Sequence, residues 1–255
     1  MKIINEPKVY CVGRQIVDEF ELQRFLDDHE VSQWETDADT GAEKLVEVAG
    51  RLCYMSFGKP RPGGNKAYVG HIREVGHTSV FEHAVFSLLI TGVSRSLTHE
   101  LVRHRVGMSP SQLSQRFVDE SDCSFVEPWV ISSDPELHFI WKNAIEHAQN
   151  AYKALSDKLA MKLRDTETDP TLRRKRARES ARSVLPNATE TKIFITGNAR
   201  ALRHFIELRG SIHADKEIQS LARRVGQALK IEAPNLFNDL IVRPDGTTGF
   251  VEVAH

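Results

Sequence analysis

The feature that most limits the fold is a long helical pattern over residues 135–164. Apolar residues recur there every three or four positions, the spacing that places side chains on one face of an α-helix. The pattern predicts a helix of about eight turns. The face predicted to be buried is formed by Leu137, Trp141, Ala144, Ala148, Tyr152, Leu155 and Leu159.

Shorter helices are predicted on both sides of this long one. Ser94 and Asn198 are good N-cap residues for two of them, and Gly76 is a stop signal for a third. The sequence GKPRPGG at residues 58–64 must be a loop, because it is too rich in Gly and Pro for regular structure. The predicted helices cover residues 43–55, 68–75, 94–104, 171–184, 198–208 and 214–230.

Strand patterns are fewer than helical ones, and Gly92 closes the first of them. The last is a hairpin that turns at the sequence PDG. Because few strands are separated by long helices, the sequence predicts an α+β fold: a single domain over residues 1–255, with a mixed or antiparallel sheet flanked by long helices. The predicted strands cover residues 82–91, 115–118 and 189–196, and the predicted hairpin covers residues 240–253.

Charge and cysteine content limit the setting in which the protein works. The 34 basic and 35 acidic residues give a net charge of -1, so a binding site for an anion must be local. Cys11, Cys53 and Cys123 are widely spaced, which favours reduced thiols in the cytosol over a disulfide scaffold. The N-terminus lacks the apolar core of a signal peptide, and no apolar run approaches the ~18 residues of a membrane span. We therefore expect a soluble cytoplasmic protein.

The familiar metal and nucleotide motifs are missing from the sequence. His99, Glu100 and His104 come close to the zinc motif H-E-x-x-H, but five helical residues rotate by about 140°, so the two histidines do not share a face. No glycine-rich dinucleotide motif and no phosphate-binding P-loop motif occurs. We therefore predict no metal site, and no dinucleotide bound in the Rossmann manner.

Hydrogen-bond donors are concentrated at residues 101–118, LVRHRVGMSPSQLSQRFV, here called the donor-rich loop. Gly107 and Pro110 prevent the preceding helix from continuing through it. If Arg103 and Arg105 were both helical, their side chains would diverge by about 200°, which favours two ligands or two parts of one ligand. The sequence SQLSQR suits a nucleotide's phosphate and ring edge, although an ordinary polar surface loop is the alternative.

A basic helix follows at residues 171–184. Arg174, Arg178 and Arg182 form one stripe, while Ala177 and Ala181 belong to another stripe that packs inward. Such a stripe is either solvated or suited to bidentate phosphate binding, with Arg182 the best candidate for an inward role. A nucleic-acid-binding protein anchored by this helix is a further alternative.

Four blocks of the sequence stand in a characteristic order: GHTSVFEH at 76–83, RHR at 103–105 with SQLSQR at 111–116, RSVLP at 182–186, and the N-x-R, L-R and H-A positions between 198 and 214. Together they resemble the motifs of the flavin-dependent thymidylate synthases. The spacing departs from the family pattern at one point, where three residues instead of two separate Arg105 from Ser109, so the loop must bulge there. Phe117 stands where many members have Tyr.

The resemblance implies a homotetramer with active sites where subunits meet. It implies a methyltransferase that converts dUMP into dTMP, with 5,10-methylenetetrahydrofolate as carbon donor and NADPH-reduced FAD as hydride donor. It implies no cysteine nucleophile, and neither nucleic acid nor membrane as a partner. A flavoprotein of this fold that acts on another pyrimidine remains an alternative.

The resemblance also assigns site residues, with Arg209 as the catalytic residue beside the uracil ring. The residues implied for dUMP are Glu100, Arg103, Gln112, Ser114, Gln115, Arg116, Arg182 and Arg209. Those implied for FAD are His77, Ser79, Arg103, His104, Arg105, Asn198, Ala199, Arg200, His204 and His213, where His77 and His213 line the flavin or folate side.

Overall fold

The computed structural model describes residues 1–251, which form helices and short strands. The helices are α1 (Glu19–Asp28), α2 (Gly41–Leu52), α3 (Gly64–Glu74), α4 (Arg95–Leu101), α5 (Trp129–Ser132), α6 (Pro135–Lys162), α7 (Pro170–Ala181), α8 (Ala199–Arg209), α9 (Lys216–Glu232) and α10 (Pro234–Phe237). Two 3₁₀ turns lie at Thr78–His83 and Arg182–Val184. The strands are β1 (Lys2–Ile4), β2 (Lys8–Arg14), β3 (Val85–Ser94), β4 (Met108–Gln112), β5 (Ser124–Val126), β6 (Glu190–Asn198), β7 (Leu240–Val242) and β8 (Thr248–Phe250).

The strands form one four-stranded sheet and two strand pairs among the described residues. The larger sheet has the order β2-β3-β6-β4. β1 pairs with β5 in parallel, with Lys2 opposite Ser124, and β7 pairs with β8 in antiparallel, with Leu240 opposite Phe250. The predicted α+β class is confirmed, and so is the hairpin turn at PDG; residues 252 and 253 of the predicted hairpin lie outside the described part.

The chain divides into two compact units, whose borders fall inside β2, β3, β4 and β6 and between Arg103 and His104. The prediction of a single domain is not tested by this division. Unit 1 comprises residues 1–8, 90–103 and 111–193, and unit 2 comprises residues 9–89, 104–110 and 194 onward.

Each unit has its own apolar interior. In unit 1, α6 packs on α7, and Phe125 and Tyr152 are fully buried. In unit 2, α8 packs on α9, and the rings of Phe86 and Phe237 meet edge to face at 6.3 Å. The helices that carry candidate site residues are therefore held by buried side chains on their inner faces.

The long helix was predicted correctly, and its buried face was predicted in part. Tyr152 of the predicted stripe is buried, together with Ile145 and Gln149, whereas Leu137 and Leu155 of that stripe are exposed. Residues 145, 149 and 152 are spaced by four and three, so they share one face. Apolar periodicity identifies a face that avoids water, but it does not identify what covers that face.

Most predicted helices are confirmed, with ends that differ by a few residues. Ser94 caps α4 by accepting a hydrogen bond from the backbone of Leu97 at 3.0 Å. Asn198 caps α8 in the same way, from the backbone of Ala201 at 2.8 Å. Local capping chemistry therefore places the first turns of both helices.

The strand predicted at 189–196 is confirmed as β6, the one predicted at 82–91 is confirmed as β3 with shifted ends, and the one predicted at 115–118 was wrong. β3 begins at Val85 because the preceding segment is a 3₁₀ turn, and it continues past Gly92 to Ser94. Gly92 has φ +71° and lies where a Cβ would come within 2.8 Å of the Glu6 carbonyl, so it bends the strand without ending it. Residues 115–118 are a turn closed by the carbonyl of Ser114, while the extended segment is β4. None of the helices in the described part is long and apolar enough to cross a membrane.

Candidate functional site

The donor-rich loop starts with a tight turn. α4 ends at Leu101, so Arg103 and Arg105 are exposed beyond the helix and their expected helical divergence does not apply. The bulge expected from the extra residue is a turn in which Met108 donates its backbone N–H to the carbonyl of Arg105 at 3.2 Å. Gly107 occupies the third position of this turn with φ +68°, which glycine tolerates best.

The imidazole of His104 is held between α8 residues in unit 2. Arg209 Nε donates a hydrogen bond to His104 Nε2 at 3.0 Å. The ring of Phe205 meets the imidazole edge-on at 5.2 Å between centroids, and the ring of His204 lies at 6.4 Å. These contacts join the donor-rich loop to the helix that carries the predicted catalytic arginine.

His104 is neutral at physiological pH. Burial, the nearby cationic Arg209 and the imidazole of His204 together lower the pKa of its imidazole to about 4, with burial as the largest cause. The neutral ring accepts the Arg209 hydrogen bond at Nε2 and therefore carries its proton on Nδ1. His104 thus fixes the orientation of the guanidinium without adding a positive charge beside it.

Backbone contacts fix the start of α8. Asn198 donates its backbone N–H to the carbonyl of Gly107 at 3.0 Å, and Ala199 donates its own to the carbonyl of Ala84 at 2.7 Å. A Cβ at Gly107 would come within 2.6 Å of Nδ2 in the Asn198 side chain. Asn198 and Ala199 therefore fix the backbone at the start of α8. Their backbone N–H groups are already bonded to the carbonyls of Gly107 and Ala84.

Other candidate residues of unit 2 present polar groups at the surface. Arg200 Nη1 forms an ion pair with the Glu82 carboxylate at 2.6 Å, and both side chains are about half exposed. The ring of His77 lies nearly parallel to that of Tyr54, with 6.4 Å between centroids. Ser79, Arg105 and His213 are also exposed and have no such contact with residues 1–251, and His204 is exposed with its ring near that of His104.

Unit 1 contains a polar cavity of about 450 Å³. Arg95 from the first turn of α4 and Arg182 from the end of α7 line it, together with the buried Gln115 of the donor-rich loop. Neither guanidinium forms a hydrogen bond or an ion pair with any residue of the described chain. Burial lowers the pKa of Arg95, and the positive charge of Arg182 lowers it further, so the two cations lie close together.

Arg178 braces the donor-rich loop next to this cavity. It donates from Nη1 to the carbonyl of Phe117 at 2.8 Å and from Nη2 to the carboxylate of Asp119 at 2.8 Å. Arg174, on the same predicted stripe, is exposed. The members of the stripe therefore have different surroundings, and Arg182 is the one that lines the cavity.

Three loop residues have local contacts of their own. Gln112 donates its side-chain amide to the Thr98 hydroxyl at 2.9 Å. The Ser114 hydroxyl accepts the backbone N–H of Arg116 at 3.4 Å, and the Arg116 guanidinium lies 5.9 Å from the Phe117 ring centroid. Of the SQLSQR residues, Gln115 is the one that lines the cavity.

The residues implied for the two ligands separate by unit. Of the dUMP set, Arg209 alone belongs to unit 2, and of the FAD set, Arg103 alone belongs to unit 1. The members in unit 1 are Glu100, Arg103, Gln112, Ser114, Gln115, Arg116 and Arg182, and those in unit 2 are His77, Ser79, His104, Arg105, Asn198, Ala199, Arg200, His204, Arg209 and His213.

Sequence reasoning missed Arg95 and Glu120. Arg95 follows the N-cap Ser94 directly, and that position on the motif-bearing helix was the available signal. Glu120 is 4% exposed, and burial raises the pKa of its carboxyl to about 7, opposed by Lys192. No signal in the sequence distinguishes this buried glutamate. Within residues 1–251, no three His, Cys, Asp or Glu side chains are grouped to hold a metal.

Comparison with known proteins gives one consistent result. The family model described as "Thymidylate synthase complementing protein" matches residues 36–235. A flavin-dependent thymidylate synthase from Mycolicibacterium gilvum is 53% identical over 219 residues, which cover 84% of this chain and 86% of the relative. The flavin-dependent thymidylate synthase of Corynebacterium glutamicum is 49% identical over 209 residues, which cover 81% and 82%.

Proposed function

The chain belongs to the flavin-dependent thymidylate synthase family, and on that premise we propose that the cavity lined by Arg95 and Arg182 receives the phosphate of dUMP. The protein is a methyltransferase that forms dTMP from dUMP, with 5,10-methylenetetrahydrofolate as carbon donor and NADPH as reductant. Bound FAD supplies the hydride of this reaction after its reduction. The protein's own residues supply binding, orientation and charge.

The observation that carries this proposal is the pair of guanidinium groups without a hydrogen-bond or ion-pair partner among residues 1–251. Two adjacent cations repel each other, and the neighbouring carboxylates, Glu179 on the cavity lining and Glu120 near Arg95, form no ion pair with either of them, so an anion that bridges both guanidinium groups is stabilising. A phosphate has the charge and the acceptor geometry for two arginine forks, and Gln115 adds an amide donor at the same cavity.

Arg209 acts on the uracil ring. Carbon transfer to C5 needs electron density at that atom, and a guanidinium beside the ring carbonyl and N3 favours the ring anion. His104 supports this role by fixing Arg209 through Nε and by remaining uncharged, because a protonated imidazole could not accept this hydrogen bond and would repel the guanidinium. Arg209 is therefore the catalytic residue, and His104 is a positioning residue.

The unit 2 candidates suit a flavin dinucleotide. His77, Arg105, Arg200, His204 and His213 offer exposed imidazole and guanidinium donors, which match diphosphate and ring acceptors. Asn198 and Ala199 contribute by shaping the turn, because their backbone donors are already bonded. Ser79 and Arg103 belong to the same FAD set by resemblance, whereas Glu100 belongs to the dUMP set.

The protein works as a homotetramer in the cytoplasm, as a single folded domain per subunit. The apolar side chains that α5 and α6 leave uncovered support an assembly: Trp129 is 77% exposed, Phe139 64% and Ile140 59%. Burial of these three side chains against other subunits would stabilise it by several kcal/mol, at about 1.5–3 kcal/mol for each fully buried large apolar side chain. All three cysteines are free thiols, which suits a reducing compartment.

One experiment tests the proposed function directly. The purified protein is expected to be yellow, to release FAD on denaturation, and to convert dUMP into dTMP with methylenetetrahydrofolate and NADPH. A colourless protein that does not take up FAD would contradict the flavin role. A yellow protein that forms no dTMP but acts on another pyrimidine nucleotide would contradict thymidylate synthesis. It would support the alternative of a flavoprotein with another pyrimidine substrate.

A further inference from the structure

A second cavity, of about 320 Å³, lies in unit 2 and is unrelated to the phosphate cavity of unit 1. It is formed by the end of α2, the GKPRPGG loop and α3. His77 lies at its edge, and its lining includes Lys59, Arg61 and His71. Among residues 1–251 no acidic residue belongs to this lining, although the chain as a whole is slightly acidic.

A buried arginine fixes the shape of this cavity. Arg51 is 4% exposed and forms an ion pair with Glu47 at 2.7 Å. Its Nη1 donates to the carbonyls of Ser56 at 2.9 Å and Lys59 at 3.1 Å. Its guanidinium also lies 4.7 Å from the centroid of the Tyr68 ring. These hydrogen bonds hold the backbone at the start of the loop, so the position from which the Lys59 side chain extends is fixed.

The remaining cations of the cavity lack partners. Arg51 is neutralised by Glu47, and His71 lies 3.9 Å from Glu74. Lys59 and Arg61, in contrast, form no ion pair with any carboxylate among residues 1–251. Two unneutralised cations over a cavity without acidic groups create a local positive potential, which attracts an anionic ligand group.

Aromatic rings limit the kind of ligand further. His77 and Tyr54 both line the cavity, with their ring planes inclined by only 16°. Such rings provide a flat apolar surface for a planar ring system. The ligand that fits this cavity therefore combines a planar ring with a charged anionic group some distance away.

We infer that this cavity holds the anionic tail of a co-substrate, with Lys59 and Arg61 as its charged contacts. The inference rests on the proposed function, which supplies two molecules of this chemistry. One is NADPH, whose 2′-phosphate is the anion, and the other is the folate, whose glutamate carboxylates are the anions. Both place an anion at a distance from a planar ring, as the cavity requires.

The test compares Lys59→Gln and Arg61→Gln with wild type, and uses Lys66→Gln as the matched control. Lys66 is an exposed lysine of α3 that does not line the cavity, so its substitution changes the net charge equally. KM is measured for NADPH and NADH, and for monoglutamyl and pentaglutamyl methylenetetrahydrofolate. Binding of NADP⁺ and of pentaglutamyl folate is measured separately by calorimetry, without turnover.

Loss of one partly exposed charge-assisted contact is expected to weaken binding about 5- to 10-fold. If the KM for NADPH rises and the KM for NADH does not, the 2′-phosphate is the bound anion. If the KM for pentaglutamyl folate rises and the KM for monoglutamyl folate does not, the glutamate tail is the bound anion. Lys59→Arg is expected to restore most of the affinity, because it restores the charge.

The inference is overturned if both variants bind both ligands as Lys66→Gln does. Retained FAD absorbance and an unchanged KM for dUMP show that a variant is folded; if Lys59→Gln fails this check, Arg61→Gln alone decides. Failure of the proposed function is a different result, because wild type itself would then form no dTMP.

Discussion

Arg209 Nε and His104 Nε2 are joined by a hydrogen bond of 3.0 Å, which links the end of α8 to the donor-rich loop. The bond requires a neutral imidazole, because a protonated ring has no acceptor atom. Burial and the adjacent guanidinium keep the pKa of His104 at about 4 and so preserve this condition at physiological pH. The pair is thus a charged group oriented by an uncharged one.

Arg209→Ala is expected to abolish dTMP formation while FAD remains bound. The charge beside the uracil ring is lost, and removing one preorganised electrostatic group typically slows catalysis by about 10²–10³-fold. Single-turnover dTMP formation and the flavin absorbance are the measurements. Arg209→Lys is the companion variant: it keeps a charge but lacks the planar fork, so it should remain strongly impaired. Near-normal turnover of Arg209→Ala would remove this residue from the chemistry.

His104 is expected to make folding stability depend on pH. Its pKa is about 4 when folded and near its ordinary value of 6.5 when unfolded, so between these values the unfolded state binds the proton more readily. The stabilisation is complete above about pH 6.5 and is lost as the pH falls toward about 4.

The measurement is urea unfolding of wild type and His104→Gln at about pH 7.5 and about pH 4.5. Wild type should lose more unfolding free energy than the variant over this interval, because the glutamine amide does not titrate. Equal losses would show that His104 does not carry this pH dependence.

Arg182→Ala is expected to raise the KM for dUMP by roughly 10- to 100-fold, the range of one hydrogen bond between charged groups. Arg95→Ala should act in the same way, because both guanidinium groups line the cavity. Arg174→Ala is the matched control: it removes an exposed arginine from the same helix and should change KM by less than about 2-fold. If all three variants bind dUMP alike, the phosphate is held elsewhere.

Capping signals in the sequence predicted helix starts well because they are local. Ser94 and Asn198 each bond to a backbone N–H three residues away, so a few adjacent residues determine the structure. β4 was missed for the opposite reason. Its sequence MSPSQ contains Pro110 and polar residues, and it becomes a strand by lying beside β6 at the edge of the sheet, where proline is tolerated.

The phosphate cavity was predictable only in part. Arg182 and Gln115 were identified through the resemblance, whereas Arg95 was not, because its role depends on which residues meet in space. Residues 95, 115 and 182 are far apart in the chain, and no periodicity links them. The buried face of α6 was predicted only in part for a similar reason, since apolar spacing does not tell which neighbour covers a helix: Tyr152 of the predicted stripe is buried, but Leu155 is not.

Replacing all three cysteines is expected to leave a working enzyme. Burial raises the pKa of the Cys123 thiol to about 12, and burial also raises that of Cys11, so neither provides a thiolate near pH 7. Cys53 is exposed, and nothing in the proposed chemistry requires it. The triple variant with Ser at 11 and 53 and Ala at 123 should lose about 1 kcal/mol of stability or less per site. Its dTMP formation rate and its urea unfolding curve are compared with those of wild type. A folded triple variant without turnover would contradict the cysteine-free mechanism, and restoring each cysteine in turn would then identify the one required.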